Sequence, residues 1–345
     1  MKIHTGLHVS RVFFEENALH YPLGNQILQR VQKAGLDVQY LKSHNRVTGI
    51  PGKNPREAFF EGKNSLVIGV RKGLDFAGCK PSAHFQLPLI TGCPGICEYC
   101  YLNTNLGGKP YIRIYINIED ILSQAANYIE ERRPQTTTFE ASAVGDPVAI
   151  EELSGTLAAS ILFFADQDLG RLRIATKYPC PPSLLDLVHK GHTRIRYTVN
   201  SESIIQRYEH RTPPLGTRLT ALKELIHHDY PVGIMIAPIF LEGDWQSEYR
   251  QLLETVRREL PEASVPDLHF EVISHRFTSK AHRVIDQVFP HHTLPIDEKT
   301  GRMFKYGQFG YGKYLYNTGQ LAEMRDFFSS NIARLFPEAH VEYII

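Results

Sequence analysis

Short apolar runs bounded by loop residues recur through the middle of the chain. They fall at Leu87 to Thr91, Thr137 to Ala141, Leu172 to Thr176, Arg194 to Val199, Val232 to Ala237 and Leu268 to Ile273. Between them, apolar residues take helical spacing at Ile118 to Arg132, Ala149 to Asp166, Ser183 to His189, Arg218 to His228 and Asp244 to Glu259. Strands alternating with helices predict a parallel sheet, because parallel neighbours need a crossover connection. Six strands with five intervening helices predict an α/β fold built on a partial (β/α)6 TIM-like barrel rather than a closed eight-stranded one.

The flanks read differently. Residues 1–75 predict an N-terminal α/β extension: a helix from Tyr21 to Ala34, strands at Val38 to Leu41 and Ser65 to Arg71, and a polar loop around Gly49 to Pro55. The barrel is expected over 76–275. After it, a polar stretch leads to the aromatic, basic, Gly-punctuated run Lys305 to Tyr316, which predicts a β-hairpin. A helix at Gly319 to Leu335 and a last apolar segment complete a C-terminal region over 276–345. No internal repeat and no low-complexity segment is present.

Composition narrows the function classes. The 345 residues carry 38 Lys+Arg against 37 Asp+Glu, a net charge of +1, with 42% hydrophobic and 22% charged residues. That excludes a disordered chain. It also excludes a protein that holds nucleic acid by bulk charge, so any basic surface is a local patch. The longest apolar candidate, around Leu157 to Ala165, falls short of the roughly 18 residues a membrane span needs. Met1-Lys2-Ile3-His4 opens no secretory signal. The expectation is a cytoplasmic protein without a membrane partner, whose five cysteines are ligands, reactive thiols or core residues rather than disulfides.

Three of those cysteines sit together in Thr91-Gly92-Cys93-Pro94-Gly95-Ile96-Cys97-Glu98-Tyr99-Cys100-Tyr101-Leu102. Thiolates are soft ligands for zinc or iron–sulfur clusters. A structural zinc site wants a fourth ligand, and none lies at finger spacing. Three ligands on a four-iron cluster would leave one iron open, in a loop after a barrel strand, where barrel chemistry gathers. Zinc completed by a distant His and three unliganded core cysteines are the competing readings. No P-loop, GxGxxG motif or hydrolase elbow is present. The paired histidines His227-His228 and His291-His292 read as surface residues. His275-Arg276 reads as close to a substrate or cofactor, and Glu209-His210-Arg211 as either near the cofactor or a solvated loop.

CxxxCxxC followed by an aromatic resembles the signature of the radical S-adenosylmethionine (radical SAM) superfamily. Further islands sharpen the likeness: Lys80-Pro81-Ser82-Ala83, Phe139-Glu140-Ala141, Asp146-Pro147, Thr176-Lys177, Val199-Asn200-Ser201-Glu202, Tyr208-Glu209-His210, Ser274-His275-Arg276-Phe277-Thr278 and the Lys305 to Tyr316 run. Together they resemble the spore photoproduct lyase family over residues 76–316.

The resemblance implies repair of the thymine photolesion 5-thyminyl-5,6-dihydrothymine in DNA. It implies a [4Fe-4S] cluster on Cys93, Cys97 and Cys100, with S-adenosylmethionine on its open iron. Lys177, Thr198 and Ala237 then fall at cofactor positions, and the Gly145-Asp146 loop falls beside the cofactor's amino group. Tyr99 and Tyr101 match tyrosines that return hydrogen toward the cofactor. Lys305, Tyr306, Lys313 and Tyr314 would meet DNA carrying the lesion. A one-electron reductant such as flavodoxin or ferredoxin is the implied second partner.

One position departs from the family. Where members carry Phe-Glu-Ala-Ala-Cys on the second strand, this chain reads Phe139-Glu140-Ala141-Ser142-Ala143. The usual hydrogen-donor cysteine is therefore alanine, and a Ser142 O–H bond is too strong to replace it. Cys79 is the favoured donor, with Cys180 second and Tyr101 the recourse if neither serves. The alternatives to this lyase are a related radical enzyme with a changed substrate and a non-catalytic iron–sulfur DNA-binding protein.

Overall fold

The structure is a computed structural model. It describes residues 8–42, 47–260, 265, 267–298, 301–306 and 312–345, with Asn103 and Thr104 described by backbone alone. The chain forms two compact units that alternate along the sequence. Met1–Pro94, Leu106–Ile195 and His228–Tyr230 make the first; Gly95–Asn105, Arg196–His227 and Pro231–Ile345 make the second.

In the first unit, Arg11–Glu15 lies between Val38–Leu41 and Ser65–Gly69, all parallel. Ser65–Gly69 is buried along its whole length, so it needs a partner on its other side as well. That partner is Ile112–Tyr115, edged by Ile90–Thr91, both from the segment expected to belong to the barrel.

The second sheet of this unit runs Gly78–Cys79, Ala83–Leu87, Thr137–Ala141, Gly170–Thr176 and into Thr193–Val199. Its first parallel strand is Ala83–Leu87, with Leu87 opposite Ala141. The expected Leu87 to Thr91 strand is therefore corrected. Pro88 has no N–H for the ladder, and Ile90–Thr91 leaves for the other sheet. Phe139 points to the helix side, its ring 5.2 Å from Phe164 and 5.8 Å from Phe85. Glu140 consequently faces the other side of the sheet.

The continuous helix expected from Ala149 to Asp166 is broken. Val148–Ser154 and Thr156–Ala165 meet at 97° around Gly155, whose φ of 67° is left-handed. Glu151 bridges the break, its carboxylate accepting from Leu157 N at 2.9 Å and Ala158 N at 2.8 Å.

In the second unit the rest of Thr193–Val199 is followed by Val232–Ile239, His269–Ser274 and His340–Ile344; the last three are parallel. The final apolar segment thus becomes a strand. Trp245–Glu259 packs against Thr318–Leu335 through Trp245–Phe327 and Tyr249–Phe328 ring contacts at 5.1 and 5.5 Å. Two short helices, Glu202–Tyr208 and Ser279–Val288, lie where no helix was expected. The hairpin pairs Arg302–Tyr306 with Gly312–Tyr316, and its turn, 307–311, lies outside the described residues. Among the described residues no single helix is long and apolar enough to cross a membrane.

Candidate active site

Cys93 lies in the first unit, in a loop docked by main chain. Gly92 N donates to Val144 O at 2.9 Å, and Gly92 bridges Gly145. A Cβ on Gly145 would stand 2.7 Å from Gly92 O and 2.9 Å from the Ile90 side chain, so only glycine permits this approach. Buried Lys63 donates to Cys93 O at 3.0 Å. Ser142, at a left-handed φ of 53°, accepts from Leu89 N at 3.2 Å and Ile90 N at 2.9 Å. Its hydroxyl holds the chain leaving the Ala83–Leu87 strand.

Asp146 turns its carboxylate into the protein. It accepts from Thr176 Oγ1 at 2.8 Å and from Lys177 N at 3.1 Å, which fixes the backbone at the end of the Gly170–Thr176 strand. Burial pushes its pKa up to about 6, and these hydrogen bonds limit the rise.

In the second unit, Ile96–Cys97 forms a two-stranded ribbon with Glu209–His210, and Glu98 N donates to Tyr208 O at 2.9 Å. Cys100 N donates to Cys97 O at 3.2 Å, closing a turn over the two cysteines. Side chains repeat the tie: His210 Nε2 meets Glu98 at 2.8 Å, and the Tyr99 hydroxyl donates to Glu209. Glu209 also pairs with Arg218, both side chains 0% exposed. Arg218 donates further to Pro213 O at 2.8 Å, Thr198 O at 3.0 Å and Thr212 Oγ1 at 3.0 Å. Burial first, and the Glu209 charge second, hold the Tyr99 phenol well above its ordinary pKa, so it stays protonated. Tyr101, by contrast, is 55% exposed.

Arg218 and Lys63 were missed from the sequence. The signal for Arg218 was available: it stands among Leu215, Leu219, Leu222 and Leu225 on the buried stripe of its helix.

The hairpin is anchored at its base. Arg302 donates to His275 O and Pro295 O, both at 3.0 Å, and lies 3.5 Å from the centre of the Tyr316 ring. His275 is stacked on Phe240 and buried, and its Nε2 has no hydrogen-bond partner among the described residues. Burial, then Arg302, lowers its pKa well below the ordinary value and keeps the ring neutral. Lys305 stands opposite Lys313, and Phe304 opposite Tyr314. Directly opposed residues share a face, so the lysines lie on one side of the ribbon and the rings on the other. Tyr314 is committed to packing: its ring stacks on Phe277 and its hydroxyl donates to Glu298 at 2.8 Å. The open rings are Tyr306, 73% exposed, and Phe304, which was not singled out from the sequence.

Comparison with known proteins decides the family. A family model described as spore photoproduct lyase matches residues 7–345. The chain belongs to the spore photoproduct lyase family. It is 45% identical over 335 residues to the spore photoproduct lyase of Clostridium acetobutylicum, covering 97% of this chain and 98% of that protein. With the Bacillus subtilis enzyme it shares 42% over 332 residues, covering 96% and 97%. A solved spore photoproduct lyase complexed with dinucleoside spore photoproduct superimposes with a TM-score of 0.96 at 41% identity, covering 99% of this chain and 100% of that one. A doubly substituted lyase with bound AdoMet and the same dinucleoside gives 0.95 at 42%, covering 98% and 99%. The expected fold class holds: a curled parallel sheet making a half-barrel.

Membership makes this lyase a radical SAM enzyme, with a [4Fe-4S] cluster and S-adenosylmethionine as its cofactors. The residues present fit a cluster. Cys93, Cys97 and Cys100 supply three soft thiolate donors within eight residues, and no disulfide joins any of the five cysteines. Cys79 is half-buried and opposes Ala83 across an antiparallel pair. The segment after it crosses to the Glu140 face of the sheet, where the Ser82 hydroxyl donates to Glu140 at 2.8 Å and Arg173 holds Ser82 O at 2.8 Å. Cys180 is buried, close enough to Tyr230 to help raise that phenol's pKa after burial itself.

Proposed function

We propose that this lyase reverts 5-thyminyl-5,6-dihydrothymine in DNA to two thymines, with Cys79 as the hydrogen donor. The observation that carries the substrate is that relatives of the same fold, at 41–42% identity, bind the dinucleoside spore photoproduct. Cys93, Cys97 and Cys100 would hold the cluster. Lys177, Thr198, Ala237 and the Gly145-Asp146 loop would hold S-adenosylmethionine. Bound and reduced, these groups would supply a 5′-deoxyadenosyl radical able to take the C6 hydrogen of the lesion.

Scission of the inter-thymine bond then frees one thymine and leaves a carbon radical on the other. That radical needs one hydrogen atom from a bond weaker than the C–H bond it forms, and a thiol S–H meets the condition. Cys79 would give its hydrogen and become a thiyl radical. Tyr101 and Tyr99 would relay a hydrogen atom from 5′-deoxyadenosine to the Cys79 thiyl radical, restoring the thiol, with Glu209 keeping the Tyr99 hydroxyl oriented. The doubly substituted relative exchanges a cysteine for alanine and a serine for cysteine, with the same sequence separation as Ala143 and Cys79. This chain carries that arrangement in its own sequence. Cys180, buried beside Tyr230, is less suited to meet a substrate.

DNA would lie on the hairpin, with Phe304 and Tyr306 offering ring faces and Lys305 and Lys313 the charge. Electrons would come from a flavodoxin or ferredoxin. The test is an anaerobic assay of cluster-loaded protein with reductant, S-adenosylmethionine and the dinucleoside lesion. Cys79→Ala should lose clean thymine formation and give adducts, while Cys180→Ala should match wild type. Wild-type thymine yield from Cys79→Ala would overturn the donor. Deoxyadenosine without thymine from the wild type would overturn the substrate.

A further inference from the structure

At the start of the last two parallel strands of the second unit, four side chains meet that the lyase reaction does not use. His269 and His340 open their strands as a directly paired couple, with ring centroids 5.2 Å apart. Asp267, two residues before His269, brings Oδ1 to 2.6 Å from His269 Nε2. Glu342, two residues after His340, places Oε1 2.5 Å from His269 Nδ1. One ligand atom from each of Asp267, His269 and His340 lies within 4.8 Å of the other two. The His269 side chain is 16% exposed and Asp267 54%, so the group is rimmed by solvent rather than sealed.

The bonding requires a positive partner at one point. In the neutral tautomer that donates Nδ1–H to Glu342, His269 Nε2 carries a lone pair, and it faces a carboxylate oxygen at hydrogen-bond distance. Two lone pairs at that separation repel unless a proton lies between them or, with the two atoms drawn apart to roughly 3.3 Å, both bind one metal cation. A proton would satisfy Asp267 and His269 alone and would gain nothing from His340. A second imidazole beside the pair completes instead a donor set of two nitrogens and one carboxylate, the set that suits zinc and neighbouring divalent transition metals. Glu342 then takes the part of the carboxylate that orients a metal-bound histidine through its other ring nitrogen.

We propose that Asp267, His269 and His340 form a zinc-type divalent-metal site, oriented by Glu342 and completed by water, that fastens His340–Ile344 to His269–Ser274. The two strands come from chain segments about seventy residues apart, and the ladder between them shifts register between Phe270 and Glu271. A metal bond at the strand starts would hold that register. His269 lies five residues before the Ser274 end, roughly 16 Å along a strand. The site is therefore separate from His275 and the chemistry beyond it.

The test uses the cluster-loaded protein, in which the thiolates of Cys93, Cys97 and Cys100 are already occupied. Anaerobic zinc titration against a chromophoric chelator should give one zinc per chain, and the melting temperature should rise with zinc. His340→Ala should lose that zinc and the rise. Asp267→Asn, in an exposed turn that a carboxamide leaves intact, should weaken binding at least tenfold. Glu342→Gln should weaken it about 10–100-fold, as loss of an orienting carboxylate does. Deoxyadenosine production without zinc should stay at wild-type level in all three. Undiminished zinc uptake in His340→Ala and Asp267→Asn, or no uptake by the wild type, would overturn the proposal and leave a proton between Asp267 and His269.

Discussion

Glu209→Gln isolates the buried pair that supports the cysteine ribbon. Both Glu209 and Arg218 are 0% exposed, so the variant leaves a guanidinium charge in the interior without its counter-charge. Removing one partner of such a pair costs about 3–5 kcal/mol. Arg218 keeps Pro213 O, Thr198 O and Thr212 Oγ1 as acceptors, which puts the loss toward the lower end, about 3 kcal/mol. For a domain-sized unit each kcal/mol moves the melting temperature by about 2–4 °C, so a fall of roughly 6–12 °C is expected. Because Glu209 opposes Cys97 and accepts from Tyr99, the iron bound per chain after reconstitution should fall as well. Calorimetry before cluster loading reads the first effect and iron analysis the second. In a cycle with Arg218→Met, the two losses should fall short of additivity by more than about 1 kcal/mol. A Glu209→Gln melt within about 1 °C of wild type would refute the reasoning, because a change that small belongs to a surface site.

Two further variants probe other parts of the fold. Burial raises the Glu151 pKa to about 7, against the hydrogen bonds it accepts at the start of Thr156–Ala165. The folded state therefore holds a proton there that the unfolded chain releases near pH 4.5. Stability from this group is lost as pH rises from about 4.5 to 7. Glu151→Gln lacks that dependence, so urea melts should show wild type losing on the order of 2–3 kcal/mol relative to the variant between pH 4.5 and 8; a constant difference would contradict the shift. On the hairpin, Tyr306→Ala should weaken binding of a lesion-bearing oligonucleotide by about 1–3 kcal/mol with its salt slope unchanged. Lys305→Gln should lower the salt slope by about one charge, and interchanged effects would contradict the division of the two faces.

The sequence by itself determined what covalent spacing and local periodicity control. The CxxxCxxC run places three thiols within eight residues whatever the rest of the chain does, and its flanking islands identified the family. Strands such as Thr137–Ala141 and Val38–Leu41 were legible to the residue, because each is an apolar or alternating run cut off by local loop residues. Period two also implies that Lys305 and Tyr306 face opposite ways, as the register of the hairpin shows.

Tertiary structure alone decided which distant residues meet. Nothing near Tyr99 announces Glu209, 110 positions away, and nothing near His269 announces His340 and Glu342. Ile112–Tyr115 went unread because its pairing with Ser65–Gly69 is set by a neighbour's need for a second partner. The Ala149 to Asp166 helix was overextended because periodicity continues across Gly155 while the backbone turns. The reason is common to all four: local conformation depends on the few residues bonded in series, whereas cross-chain contacts depend on which buried faces and charges can satisfy one another once the sheets have formed.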